Sequence, residues 1–258
     1  MKCRFALTTV LEFSRPVTGH VFRIRPLPGC FAGQTLLESN MRTSSPQPIA
    51  CVTEPVYGNR TWTGRFDAEH TRLEIESSGI VDRNEEAPAM PAPLPYFSYS
   101  TRLTRPGMKI RALWDSLKGE LQPTKHAVAL SLMHAVHNAM VYRPGATTTQ
   151  TTAEEALGKG EGVCQDYSHV LLALLRLAGL PALYVAGLVQ GTGATHAWVQ
   201  TWIENRWVAL DPTHDREAQG TYVALALGCD FEEAALERGI FLGSAEQTIR
   251  TTAVVEPI

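Results

Sequence analysis

The sequence predicts an α+β fold: an N-terminal β-sandwich-like domain over residues 1–105, then a core over 106–258 in which a helix packs on an antiparallel sheet. Three observations carry this. Up to about residue 110, apolar and polar side chains alternate over short runs punctuated by Pro16, Pro26, Pro28 and Pro46, the period of strands. Beyond that point the apolar spacing becomes that of one helical face. After Pro181, strand-like runs follow one another, two of them as a hairpin turning near Glu204-Asn205.

In the N-terminal region, "HVFRIRP" sets Val21, Arg23 and Arg25 on one face and Phe22 and Ile24 on the other. "YGNRTWTGRF" opens with a Gly58-Asn59 turn signal and then alternates Trp62, Gly64 and Phe66. "TRLEIESSGIV" alternates Leu73 and Ile75 with Arg72, Glu74 and Glu76. His20 and His70 read as surface or turn residues. "NEEAPAMPAPLP", residues 84–95, is rich in proline and reads as a linker or extended strap.

The helical part begins with residues 125–141, where Val128, Leu132, Ala135, Val136, Ala139 and Met140 share a face. Thr152 and Glu155 fit a capping box for a short helix closed by Gly158. A longer helix starts near Cys164 and ends at Gly179; its apolar residues wrap most of its circumference, which predicts a central, buried position. "ALYVAGLVQ", "THAWVQTWI" and "RWVALD" read as strands, and residues 221–258 as short strands around the loop "GCDFEEAALERG".

Composition removes several function classes. The chain has 258 residues, 44% of them hydrophobic, and a net charge of −3, without the basic footprint of a nucleic-acid binder. The most apolar segment, residues 170–189, contains Arg176 and a Gly-Leu-Pro break, which suits a core helix and strand rather than a membrane span. The N-terminus lacks a signal-peptide pattern, and the expected location is cytoplasmic. Five cysteines, none at CxxC spacing, argue against a disulfide framework or a zinc site. No metal and no cofactor is expected.

One cysteine stands apart. Cys164 follows Gly-Glu-Gly and opens the buried helix, where exposed N–H groups and the helix dipole stabilise a thiolate. Gly160 and Gly162 leave room for a sharp turn and for substrate. A cysteine nucleophile also needs a base and a group to orient that base. His196 opens a strand. With a two-residue turn, Ile203 faces Arg206 and Trp198 faces Asp211, so His196, Trp198 and Asp211 share one face and Asp211 lies diagonally across from His196. Among the other histidines, His134 and His137 sit three apart on a helix without a third ligand, His169 reads as a hydrogen-bonded core residue, and nothing singles out His126 or His214.

"GVCQDYSHVLLALLRLAGLPALYVAGLV", "HAWVQTWIENRWVALDPTHD" and the upstream "VYRPGATTT" resemble the core of the bacterial transglutaminase-like superfamily, within the wider papain-like group. "VFRIRPLPG", "YGNR" and the tail "ALALGCDFEEAALERGIFLG" resemble the accompanying β-domain and C-terminal segment. The resemblance implies Cys164 as nucleophile, His196 as base and Asp211 as orienting acid. It implies an oxyanion donor in the Cys164 N–H with Tyr142 or Gln165, and a supporting role for Asp166. Tyr167, Ser168 and Tyr57 depart mildly from the pattern, and no calcium loop is evident. The implied reaction is acyl transfer from a peptide, isopeptide or other amide substrate through a thioester, with hydrolysis favoured over transfer to an amine. A non-catalytic peptide-binding module and a scaffold are the alternatives. No nucleic-acid or membrane partner is expected.

Overall fold

The computed structural model describes residues 1–29, 31, 33–84, 93–119 and 124–258. Cys30 and most of the strap expected at 84–95 lie outside the described residues. The N-terminal strands are β1 (Lys2–Ile24), β2 (Gln34–Thr43), β3 (Ala50–Thr53), β4 (Arg60–Phe66) and β5 (His70–Arg83). A single 3-10 turn, Pro95–Ser98, leads to helices α1 (Met108–Leu117) and α2 (Lys125–Ala139). Then come β6 (Val141–Tyr142), α3 (Ala153–Lys159), β7 (Glu161–Gly162) and α4 (Cys164–Leu177). The remainder is β8 (Ala182–Leu188), β9 (Gly191–Gly193), β10 (His196–Ile203), β11 (Arg206–Asp211), β12 (Arg216–Glu217), β13 (Val223–Gly228), α5 (Phe231–Ala234), β14 (Glu237–Leu242) and β15 (Gln247–Pro257).

The predicted α+β architecture is present. Five strands form an antiparallel sheet in the order β12-β11-β10-β8-β13, and α4 packs on it. Val170, Leu171, Leu172, Ala173, Leu174 and Leu175 are all fully buried, as their unbroken apolar run requires. Arg176 is buried with them, and its guanidinium donates to the carbonyls of Phe97, Ala182 and Cys229 and to the Thr104 hydroxyl. Those acceptors satisfy a charge that burial would otherwise penalise by several kcal/mol (roughly 3–5 for an unpaired ion).

The N-terminal region is one curled antiparallel sheet built on β1. The first half of β1 pairs with β5 and β15, and its second half with β4 and β14. Bulges between Glu12 and Val17 and near Gly19, whose φ is +53°, let one strand serve both halves. β14 and β15 come from the far end of the chain, so the C-terminal strands complete the N-terminal sheet. The tail is therefore longer in strand than its pattern suggested, and α5 interrupts it.

Two amides from the N-terminal region dock it onto the core. β13 is an edge strand, and an exposed edge leaves backbone groups to be satisfied. Gln34 donates to the Ala224 carbonyl at 2.8 Å and accepts from the Ala224 N–H at 2.9 Å. Asn59, from the "YGNR" turn, does the same with Leu227 at 2.8 Å in both directions. Leu188, Val223 and Leu225 share a buried cluster with Phe5, Leu11, Phe22 and Trp62 of the N-terminal sheet.

Some readings need correction. His20 is fully buried and His70 nearly so; their rings stack together, with Phe13 edge-on to both. His20 shares the inward alternation of Phe22 and Ile24, a period that outweighed the nearby turn residues. Arg25 belongs to the interior as well, with Glu54 as its ion-pair partner at 2.6 Å. Helix α3 carries the Thr152–Glu155 capping box but ends on Gly160 in the left-handed conformation, not Gly158. α1 has no counterpart in the sequence reading. Its first-turn N–H groups are capped from a distance by the Glu154 carboxylate, which accepts from Gly107, Lys109 and Ile110.

Candidate active site

Cys164 is the first residue of α4, a position whose N–H has no acceptor within the helix. The turn before it is fixed by Asp166, which accepts from the Val163 N–H at 2.8 Å and from the Thr147 hydroxyl at 2.7 Å. Gly162 is needed here for packing: a Cβ would stand 2.6 Å from the Cβ of Asp166. Burial pushes the Asp166 carboxyl up, against those hydrogen bonds. This side chain holds the helix start and does not enter the cavity beside Cys164.

The hairpin has the register that a two-residue turn dictates. Ile203 pairs with Arg206 and Val199 with Leu210, and Glu204 and Asn205 both take positive φ, the two-residue primed turn. Continued one rung past Val199–Leu210, this register sets Trp198 opposite Asp211, with His196 on the same side of the sheet. His196 Nε2 donates to Asp211 Oδ2 at 2.7 Å. Cys164 lines the same cavity as His196 and, together with Asp211, pulls the ring's proton affinity up. With Nε2 taken by Asp211, Nδ1 is the ring nitrogen left to serve the thiol. Burial pushes the His196 imidazole down, but Asp211 and Cys164 outweigh it and hold the ring up at about 9. Asp211, although buried, is held well below the usual carboxylate range by His196, Tyr222 and His214.

Two partners of Asp211 escaped the sequence reading. His214 Nδ1 and the Tyr222 hydroxyl each donate to Oδ2 at 2.7 Å. The N–H groups of Thr213 and His214 donate to Oδ1 at 3.0 and 3.2 Å. Burial and the bond to Asp211 keep Tyr222 protonated, and Arg216 Nε donates to its oxygen at 3.0 Å. The connection after Asp211 is also tied to α2. His126 bonds Glu217, His134 bonds Asp215, and His137 Nδ1 donates to the Pro212 carbonyl. These three lie on one helical face, at spacings of eight and three. The signal for His214 was present: it stands three residues after Asp211, in reach of a carboxylate on a tight turn.

Ligand atoms of His196, Asp211 and His214 lie within 4.8 Å of one another, a spacing a metal ion could use. The facing atoms already satisfy each other: two imidazole N–H groups point at one carboxylate oxygen.

Of the two oxyanion candidates, Tyr142 lies on β6, half exposed, and burial and then the neighbouring Cys164 raise its phenol. It is not among the residues that line the cavity described below. Gln165 does line the cavity, and its amide donates to the Thr149 carbonyl at 3.3 Å.

Cys164 and His196 open on a cavity of about 260 Å³ between the core and the N-terminal sheet. Its walls include Leu7, Ile24 and Ile75 from the N-terminal strands, Tyr184 and Ala186 from β8, and Phe231, Leu236 and Glu237 near α5.

Residues 111–212 match the core model described as the transglutaminase-like superfamily. Residues 4–82 match the bacterial transglutaminase-like N-terminal region. This chain carries a transglutaminase-like core and a bacterial transglutaminase-like N-terminal region. An uncharacterized protein of Mycobacterium leprae is 30% identical over 200 residues, covering 74% of this chain and 63% of that protein. One from Mycobacterium tuberculosis is 29% identical over 233 residues, covering 77% of this chain and 74% of that protein. The match thus spans under two thirds of the M. leprae relative. A protein-glutamine gamma-glutamyltransferase of Pseudomonas aeruginosa is 31% identical over 137 residues, 46% of this chain and 20% of that protein. A solved structure from Cytophaga hutchinsonii, whose description proposes a cysteine protease, superposes with a TM-score of 0.80 at 20% identity, over 100% of this chain and 92% of its own. At that identity it shows the shared fold. Among the described residues, no helix is long and apolar enough to cross a membrane.

Proposed function

We propose that this chain is a cysteine-dependent acyl-transfer enzyme acting on amide bonds, with water as the usual acceptor. The observation that carries the reading is that Cys164, at a helix N-terminus, shares one cavity with a His196 ring whose Nε2 is held by Asp211. The Cys164 thiolate attacks the amide carbon, and the C=O π pair moves onto oxygen near the Cys164 N–H. Collapse breaks the C–N bond, and the His196 Nδ1 proton goes to the leaving amine. Water then attacks the thioester, losing its proton to His196, and the C–S bond breaks. Asp211 holds the ring with Nε2 protonated and stabilises the imidazolium.

Transfer to an amine differs only in the second acceptor, and the name of the Pseudomonas relative supports it as the alternative. The test is a panel of fluorogenic peptide amides, with and without a primary amine in excess. Turnover abolished by Cys164→Ser and by His196→Ala supports the reading, and the ratio of acid to amide product assigns the acceptor. Turnover that survives Cys164→Ser overturns it.

A further inference from the structure

We propose that Glu237 binds a primary ammonium group of the substrate inside the Cys164 cavity. The inference rests on the reading of Cys164 as nucleophile and adds to it a substrate class. Glu237 opens β14 opposite Ile24 of β1 and lines the same cavity as Cys164 and His196. Its Oε1 is buried and finds no protein hydrogen-bond partner. A carboxylate in that situation carries a desolvation cost that a counter-charge offsets.

Among the described residues no cation forms an ion pair with Glu237, and Arg238 acts on it only through its field. Arg25 lines the cavity too, but its guanidinium is committed elsewhere. It donates to the Thr61 hydroxyl at 2.9 Å, to Glu54 at 2.6 Å, and to the carbonyls of Glu233 and Ala235. Arg238 is the next residue on the strand, so its side chain leaves from the opposite face. The neighbouring walls, Leu7, Ile24, Ile75, Ala186 and Leu236, are apolar. The cavity therefore presents one unmatched anionic group at a distance from one nucleophile. A cavity of about 260 Å³ lies just under the range for drug-sized ligands, roughly 300–1,000 Å³, and suits a single amine-bearing residue. Burial holds the Glu237 carboxyl up at about 7, against the pull of Arg238, so a bound ammonium also keeps it ionised at neutral pH. The ammonium is either a free α-amino group or a lysine-like side chain.

The test uses Cys164 itself as reporter. N-(2-aminoethyl)chloroacetamide and its neutral isostere N-propylchloroacetamide are compared, with aminobutyl and pentyl homologues for reach. Alkylation of Cys164 is followed by mass mapping, and each rate is divided by that of glutathione with the same probe. At pH 8 the parent should favour one of the cationic probes about tenfold, as a charge-assisted contact in a partly desolvated site allows. Glu237→Gln should erase the preference while the neutral probe still labels Cys164 selectively, which also shows that the variant is folded. At pH 5.5 the parent's preference should shrink toward unity. Besides Glu237, the groups facing the cavity are Arg25, Tyr184, Cys164 and His196, with Arg238 beside it on the strand. Changes in thiol reactivity cancel in the ratio of two probes.

Equal rates in the parent, or a preference that survives Glu237→Gln, overturns the inference. Failure of every probe to label Cys164 overturns both this inference and the proposed function. Preferential labelling without turnover of any amide overturns the proposed function alone. Lysine against norleucine anilides, and free against N-acetylated ones, then assign the ammonium to side chain or α-amine. Indifference to both substitutions counts against the inference.

Discussion

Replacing Asp211 with asparagine changes one atom, but it does so where five donors converge on one carboxylate. An amide offers one acceptor and one NH2. If the NH2 takes the Oδ2 position, it confronts His196 Nε2–H, His214 Nδ1–H and the Tyr222 hydroxyl. If it takes the Oδ1 position, it confronts the N–H groups of Thr213 and His214. The second arrangement is less costly and still strands two donors, at about 1–3 kcal/mol each when buried. The lost charge bears on His196. The interval between its ordinary 6.5 and about 9 corresponds to about 3 kcal/mol, shared between Asp211 and Cys164. On that scale kcat/KM should fall on the order of 10² to 10⁴-fold. Because the folded value of His196 is raised, its contribution to stability is fully present below about pH 6.5 and is lost as pH rises through about 9. Asp211, held low, contributes above its ordinary 3.8 and loses that as pH falls below it. Both limbs should flatten in Asp211→Asn. The assays are turnover of a fluorogenic amide from pH 5 to 10 and urea unfolding from about pH 2 to pH 10. A variant within twofold of the parent rate, with an unchanged pH profile, refutes the role assigned to Asp211.

Three further outcomes are expected. Cys164 should alkylate with iodoacetamide faster than the exposed Cys51, and faster than the buried Cys3 and Cys229; peptide mapping that finds Cys51 as fast contradicts this. Tyr222→Phe and His214→Ala should each lower kcat by roughly three- to thirtyfold, since each removes one of three donors on Oδ2; steady-state kinetics with unchanged KM would locate the loss in the chemical step, and full activity in both would show that these donors are dispensable. Turnover should persist in EDTA and in 1,10-phenanthroline, and loss that one divalent ion restores would place a metal at His196, Asp211 and His214.

Much of this architecture is legible because local signals agree with one another. The unbroken run from Val170 to Leu175 has no place but the centre, and α4 lies there. The Glu204-Asn205 turn sets the hairpin register, and with it the shared face of His196 and Asp211. The sequence is silent where long-range contacts decide. α1 is capped by Glu154 from α3, two helices further along the chain. β15 finds its partner at the other end of the chain. His214 and Tyr222 meet at Asp211 through a turn and a separate strand, and Gln34 and Asn59 act as substitutes for a missing strand edge. Glu237 has no local context that marks it; only the closing of β14 against β1 brings it into the cavity that Cys164 lines.

The central claim is that Cys164 carries the acyl group. The parent protein is mixed with an activated acyl donor such as a p-nitrophenyl ester, acid-quenched within milliseconds to seconds, and weighed intact before peptide mapping. A single acyl adduct on Cys164, released by neutral hydroxylamine and absent from Cys164→Ser and His196→Ala, is the predicted result. An adduct on another residue, or one that persists in Cys164→Ser, would contradict it.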